Sequence, residues 1–357
     1  MGKKVYVGLS GGVDSAVSAA LLQKEGYEVT GVFITIALPG YPCPAAADRL
    51  EAMRVAAHLD IAFKEVDLSS EYEREVFKPS IEEWRKGSTP NPDTLCNEKI
   101  KFGIFFDWCI AHGTDFVATG HYAQFLRQDD ILPLMARCHL KTAVDSEKDQ
   151  TYFLWAVPEV KLQKTLFPIG HLQKSEVRAL AKRIGLPNAK RHDSQGLCFL
   201  GQISLEDMIE HELPQAKGSV LDEHGNVVGT HHGVAHYTLG QRHGFELAAK
   251  DTDTLPHYVV GKNVETNTIT VSTNRLPKGK TTTHVALRDC NWIGEVAKGP
   301  CMARYRYRQT LIPASLCDDM ASVTLHEPHY VPVGQSLVLY VGNRCLGGGV
   351  ISDVKLT

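Results

Sequence analysis

No two cysteines of this chain form a Cys-x-x-Cys pair, no apolar run is long enough to cross a bilayer, and neither sign of charge dominates. Each absence removes a class of protein. The nine cysteines (Cys43, Cys96, Cys109, Cys138, Cys198, Cys290, Cys301, Cys317 and Cys345) are odd in number and widely spaced. That pattern fits neither a secreted disulfide scaffold nor a compact zinc site. A spanning helix needs about 20 apolar residues, so no membrane role is expected. The opening Met1-Gly2-Lys3-Lys4 leads straight into a strand-like run, without the apolar core or cleavage site of a signal peptide. A cytoplasmic location is the expectation, with reduced thiols, most of them buried as small hydrophobes. The net charge of −3 does not advertise a nucleic-acid binder and leaves that role to a local basic patch.

What the chain does have is the composition of a globular protein, 43% hydrophobic and 22% charged, spread over 357 residues. That length exceeds one ordinary core and implies two or three domains. The first part alternates strand-like and helix-like runs: Lys3–Leu9, Asp14–Lys24 closed by Gly26, Glu28–Leu38, and Ala46–Leu59 with Leu50, Met53 and Ala57 on one face. Ile61–Leu68, a helix over Asn97–His112, Asp115–Thr119, and helices over Ser175–Ile184 and Leu205–His211 follow. Such alternation predicts an α/β fold with a doubly wound, mostly parallel sheet. From about Gly218 short β-rich runs, among them Tyr258–Val260, Thr268–Ser272, Ala321–Leu325 and Ser336–Val341, alternate with turns. This half is expected to be all-β. The expected domains are 1–217, catalytic; 218–280, a small central β-rich domain; and 281–357, a C-terminal β-barrel.

Ser10-Gly11-Gly12-Val13-Asp14-Ser15 lies at the first strand–helix junction. Gly11 and Gly12 let the backbone turn sharply and bring its N–H groups to an anion. The following helix aims its positive end at the same point, and Ser10 and Ser15 add hydroxyls. No lysine of the GxxxxGK[ST] type is present. The loop therefore suits a departing pyrophosphate better than γ-phosphoryl transfer. The residues themselves establish a phosphate site at a strand–helix junction.

The SGGVDS run is similar to the signature of the N-type ATP pyrophosphatases. Asn91-Pro92-Asp93-Thr94-Leu95-Cys96-Asn97, Ala118–Ala123, Lys148–Leu154, Asp193–Gly201, Tyr237–Arg242 and Arg306–Gln309 narrow the resemblance to the bacterial tRNA-specific 2-thiouridylases, in order over nearly the whole chain. The resemblance implies adenylation of the C2 oxygen of uridine 34 in tRNA, then transfer of sulfur from a cysteine persulfide, which a protein donor supplies. It makes Cys96 the nucleophile, Cys198 the persulfide carrier, and Asp93 a proton relay or a holder of the base. Gly8 through Ser15 (Gly8, Leu9, Ser10, Gly11, Gly12, Val13, Asp14 and Ser15), Ile34 and Gly120 would hold ATP, with Mg2+ bridging its phosphates. At Ile34-Thr35-Ile36-Ala37-Leu38 the chain departs from the family, which has methionine followed by Lys-Asn-Trp; a backbone contact to adenine tolerates the isoleucine. Asn91, Pro92, Asp93, Lys148, Asp149, Gln150, Arg306 and Tyr307 are the implied contacts to tRNA and its target base.

Two residue-level expectations stand beside these. Cys96, placed just before a helix at Asn97, would have its thiolate favoured by the helix N-terminus. Arg304, Arg306 and Arg308 alternate with Tyr305 and Tyr307, which on a strand puts the arginines on one face and the tyrosines on the other. Arginines there would neutralise phosphates, and an aromatic would stack on a base. Three alternatives compete: an iron–sulfur cluster on Asp93, Cys96 and Cys198, disfavoured because only two cysteines are offered; an adenylating synthetase for a small molecule; and a non-catalytic RNA binder. His231, His232, His236 and His243 read as polar loop residues, and no resident metal is expected.

Overall fold

The computed structural model describes residues 2–41, 45–126, 138–192, 205–213, 216–248 and 255–357. Five parallel strands form its first sheet: β1 (Lys4–Gly8), β2 (Glu28–Thr35), β3 (Ala62–Asp67), β4 (Phe116–Ala118) and, beyond a hairpin of β5 (Ala123–Leu126) and β6 (His139–Thr142), β7 (Thr165–Leu166). Their order is β3-β2-β1-β4-β7. Because β1 pairs in parallel with both β2 and β4, the strand order reverses there. The loops leaving β1 and β4 thus open onto one crevice at the carboxyl ends of the strands, where such sheets bind ligands.

Helices cover both faces. α1 (Val13–Lys24) shares a core with Val5, Val7 and the helix Lys174–Ile184 through Val17, Ala20, Val177 and Ala181. That second helix starts with a capping box between Gln173 and Glu176 and stops at Gly185, whose φ of 75° suits a glycine C-cap. α2 (Ala45–His58) corrects one expectation. Its packed face is Ala52, Val55 and Ala56, while Leu50 and Met53 face outward at 47% and 39% exposure. Small side chains let this helix lie close to the sheet.

The helix expected from Asn97 begins earlier. Asn91 caps it by accepting from the Thr94 amide at 3.1 Å, and Pro92 takes the first helical position. Residues 92–111 are helical in three segments: Pro92–Leu95, a π-helical Cys96–Ile104, and Phe105–Ala111. Cys96 therefore lies inside the helix rather than ahead of it.

The central sheet has the order β10-β9-β8-β12-β11 over β8 (Gly218–Leu221), β9 (Val227–His231), β10 (Glu246–Leu247), β11 (Tyr258–Asn263) and β12 (Thr268–Ser272). His231 is a buried strand end rather than a loop residue: its Nε2 faces the Asn267 carbonyl at 3.1 Å and its Nδ1 accepts from the Gly233 amide at 3.0 Å. Six further strands make the barrel: β13 (Thr283–Trp292), β14 (Gly299–Arg304), β15 (Ile312–Leu316), β16 (Ser322–Leu325), β17 (Ser336–Val341) and β18 (Arg344–Leu356). It closes because β13 pairs with both β16 and β18. Glycine is needed where β18 is tightest: a Cβ on Gly347 would sit 2.0 Å from the Asn291 carbonyl oxygen.

Two features lock the barrel to the first domain. β6 pairs with β18 through Cys345↔Leu140, so the β5–β6 hairpin extends the barrel sheet. Beside it, Arg304 Nη2 lies 2.7 Å from Asp149 Oδ2 with both side chains buried, and Tyr340 and Thr151 complete the cluster. This overturns the expected basic strand face. β14 ends at Arg304, which turns inward to a carboxylate 155 residues away in sequence. Arg308 has a φ of 60°, so the alternation does not continue. Tyr305 is buried in the barrel core and Tyr307 packs on Phe153, with ring centroids 4.7 Å apart.

Removing one partner of a buried ion pair leaves an uncompensated charge and costs about 3–5 kcal/mol. Urea unfolding of Asp149→Ala is expected to show a loss of that size, whereas a loss under about 1 kcal/mol, that of an exposed pair, would contradict the pairing.

Candidate active site

The phosphate loop is built from its own hydroxyls. The Ser10 amide donates to Ser15 Oγ at 3.2 Å, the Gly12 amide to Ser10 Oγ at 3.4 Å, and Ser15 Oγ to the Gly12 carbonyl at 3.1 Å. No side chain caps α1, so its first amides face the crevice. Gly11 has a φ of 76°, and a Cβ there would lie 2.5 Å from the Asp48 carbonyl oxygen. Its own carbonyl accepts from Asn188 Nδ2 at 2.8 Å and Arg191 Nη1 at 3.2 Å, and Arg191 pairs with Asp48. Leu9 and Val13 are buried, so they, like Gly8, offer backbone rather than side chain.

Gly120, after β4, closes the other wall. A Cβ at this position would stand 2.7 Å from the Ser15 amide nitrogen and 2.9 Å from the Asp14 carbonyl carbon. Next to it, His121 is buried among Phe102 and Phe167, with Nδ1 2.8 Å from Thr119 Oγ1. Burial, with Lys101 adding to it, holds its pKa well below the ordinary histidine value. The imidazole is therefore neutral at physiological pH.

Several residues of this site carried no signal in the sequence. Asp14 is clamped by Lys174 Nζ at 2.7 and 2.8 Å and by the Tyr122 hydroxyl, which donates at 3.0 Å. The lysine missing from the loop thus arrives from a helix 160 residues on. Asn188 and Arg191 hold Gly11 in the same way. Lys174 opens a helix with a readable capping pattern, but nothing local says that it reaches the loop.

Asn91, Pro92, Asp93 and Cys96 share the helix start. Asp93 lies in its first turn and Cys96 three residues on, a spacing that puts both on one side. Cys96 is fully buried, in a core shared with Ile34, Ile100 and Phe105. The first-turn charge effect does not reach that far into a helix, so the dipole activation expected of Cys96 does not operate there. Phe105 of the same helical run stands against Gly8, 3.7 Å from where a Cβ would be. Gln335 of the barrel, another residue without a sequence signal, donates to the Pro90 carbonyl at 3.1 Å and accepts from Tyr152 at 3.2 Å. Cys198 and its Asp193–Gly201 surroundings lie outside the described residues. Elsewhere burial pushes the thiols up, Cys301 to about 11 and Cys345 to about 12, as befits inert structural cysteines.

Of the implied tRNA contacts, Lys148 and Gln150 are partly exposed and flank Asp149. The Asp149 carboxylate itself is spent on Arg304, on the Ala143 amide at 3.1 Å and on Thr151, so its side chain is an internal anchor of the segment. Arg306 is exposed, and its guanidinium reaches the Leu239 carbonyl of the central domain.

Three family profiles match in order: the tRNA methyl transferase HUP domain over residues 3–202, the tRNA methyl transferase PRC-barrel domain over 206–273, and the aminomethyltransferase beta-barrel domain over 282–351. The chain is 40% identical over 366 residues to the tRNA-specific 2-thiouridylase MnmA of Methylobacillus flagellatus, covering 99% of each. This chain belongs to the tRNA-specific 2-thiouridylase family. To the enzyme of that name from Enterococcus faecalis it is 39% identical over 359 residues, covering 98% of this chain and 95% of that one. Among solved structures, the U34-tRNA thiolase NcsA from Methanococcus maripaludis with its [4Fe-4S] cluster is similar at a TM-score of 0.36 and 23% identity, over 59% of this chain and 68% of that one. A TM-score so low says nothing about function. Among the described residues no helix is long and apolar enough to cross a membrane, and no group of three or more His, Cys, Asp or Glu side chains gathers as a metal site.

The Gly120 approach gives a direct test. Gly120→Ala must push backbone apart at the start of α1, and the KM for ATP is expected to rise tenfold or more, equivalent to about 1.4 kcal/mol. An unchanged KM would show that the β4 loop does not set the phosphate loop.

Proposed function

We propose that this tRNA-uridine 2-sulfurtransferase acts in two halves, with activation at the phosphate loop and sulfur transfer at Asp93, Cys96 and Cys198. ATP lies with its phosphates on the Ser10–Ser15 amides and its adenine against the backbone at Ile34, beside Gly120. The C2 oxygen of the wobble uridine attacks the α-phosphorus, and the bond to the β-phosphate breaks to release pyrophosphate. Magnesium would accompany the phosphates and bridge them; Asp14 is the loop carboxylate that would meet it, and Lys174 holds that carboxylate in position.

In the second half the terminal sulfur of a Cys198 persulfide attacks C2 and AMP departs. The Cys96 thiolate then attacks the Cys198 sulfur and releases the new thiocarbonyl. The two thiols end as a disulfide, whose electrons have reduced the transferred sulfur, and an external thiol restores them. A protein persulfide supplies the next sulfur. Asp93, one helical turn from Cys96, faces the same reacting base. An iron–sulfur cluster remains the disfavoured route, because the site offers two cysteines where such clusters want more.

The observation that carries this reading is the packing of the Cys96 helix on the sheet beside Ile34 and Gly8, which joins the thiol and the nucleotide site in one core. Cys96 is inaccessible without substrate, so the reading requires tRNA to open a path to it. Lys148, Gln150, Arg306 and Tyr307 lie on or beside the junction of the first domain with the barrel and are the proposed tRNA contacts.

Cys96→Ser and Cys198→Ser are each expected to abolish 2-thiouridine formation from ATP, tRNA and a persulfide source, with tRNA-dependent pyrophosphate release retained. Full thiolation by either variant would sink the assignment. Arg306→Glu is expected to weaken tRNA binding and to lower the slope of log affinity against log salt by about one; identical binding across a salt series would remove Arg306 from the interface.

A further inference from the structure

A continuous run of polar contacts joins the barrel to the phosphate loop. Arg304, at the end of β14, holds Asp149 at 2.7 Å. The next residue, Gln150, is clasped to Tyr122 at two points: the Gln150 amide donates to the Tyr122 carbonyl at 2.8 Å, and the Tyr122 amide donates to Gln150 Oε1 at 2.9 Å. The Tyr122 hydroxyl donates to Asp14 Oδ1 at 3.0 Å, inside the loop itself. Arg304, Asp149 and Tyr122 are buried, while Gln150 and Asp14 are partly exposed; the ion pair therefore forms at low dielectric, where a polar contact is strong and an unmade one costly, and the Tyr122 bonds lie at the edge of that environment. The barrel cannot shift on the first domain without disturbing Gln150, nor Gln150 without disturbing the tyrosine that holds Asp14.

We propose that Tyr122 and Gln150 are positioning residues that couple ATP binding to tRNA binding. Seating tRNA across the barrel and the Lys148–Gln150 segment fixes Tyr122, and Tyr122 fixes Asp14 and the start of α1. Each ligand then tightens the other by the same factor, because coupling between two sites is reciprocal. The inference rests on the proposed tRNA contacts and goes beyond them, since contact alone predicts no effect on ATP.

A run of contacts is not by itself proof of coupling, so the test reads coupling directly. The full chain is titrated with an α,β-methylene ATP analogue, which cannot be cleaved, with and without saturating unmodified tRNA. The ratio of the two Kd values is expected to be about fivefold or more in the native protein, at the lower end of common coupling factors. In Tyr122→Phe, which removes the hydroxyl alone, and in Gln150→Ala the ratio is expected to fall towards one, and the double variant should fall no further than the single ones. Thermal melting of each variant checks that the fold is retained. A native ratio of one, or a ratio in folded Tyr122→Phe equal to the native ratio, overturns the inference while leaving the tRNA contacts standing. Failure of the chain to bind tRNA at all overturns both.

Discussion

The arrangement depends on one buried ion pair. Arg304 and Asp149 meet where the barrel, the β5–β6 hairpin and the segment before Thr151 come together. Neither charge is tolerable there alone. Tyr340, Thr151 and the Ala143 amide add hydrogen bonds to the pair. The pair turns a separate β-barrel into a fixed wall of the first domain, and the same wall carries Gln335 to the turn at Pro90. An enzyme that must hold a large RNA over a small nucleotide site needs that rigidity between the two.

Against this frame the phosphate loop is a local device. Two glycines of the site serve sterically distinct ends: Gly11 of the loop adopts a left-handed conformation beside Asp48, and Gly120 after β4 lets that strand's end approach the start of α1. Its charge is supplied from a distance. Asp14 is neutralised by Lys174 and by a hydroxyl rather than by a lysine of the loop. That suits a site from which pyrophosphate must leave, since the cation belongs to a neighbouring helix and not to the phosphate cradle.

The sequence showed best what depends on near neighbours. Strands β1 to β4, helices α1 and α2, the helices from Lys174 and Leu205, the loop at Ser10–Ser15 and the all-β second half follow from periodicity and turn residues, with observed ends close to the expected ones, whereas the helical run over 69–85 does not. The sequence falls short where a partner distant along the chain decides the outcome. The helix start is at Asn91 and Pro92, ahead of the apolar run from Asn97 that marks the helix in the sequence. The Arg304–Arg308 run alternates like a strand, but Arg304 is drawn inward by Asp149, and no local pattern could show that. Leu50 and Met53 have apolar periodicity, but the sheet takes Ala52, Val55 and Ala56 instead. The hairpin that completes the barrel sheet and the residues that anchor Asp14 and Gly11 were invisible for the same reason: their partners lie over a hundred positions away.

In the proposed mechanism ATP activates the uridine oxygen itself before sulfur arrives. Labelling that oxygen tests it most directly. With tRNA carrying 18O at C2 of the wobble uridine, one turnover with ATP and a persulfide source is predicted to leave the label in the phosphoryl group of AMP, in a one-to-one ratio with 2-thiouridine. Formation of 2-thiouridine with unlabelled AMP and the label in water would contradict it.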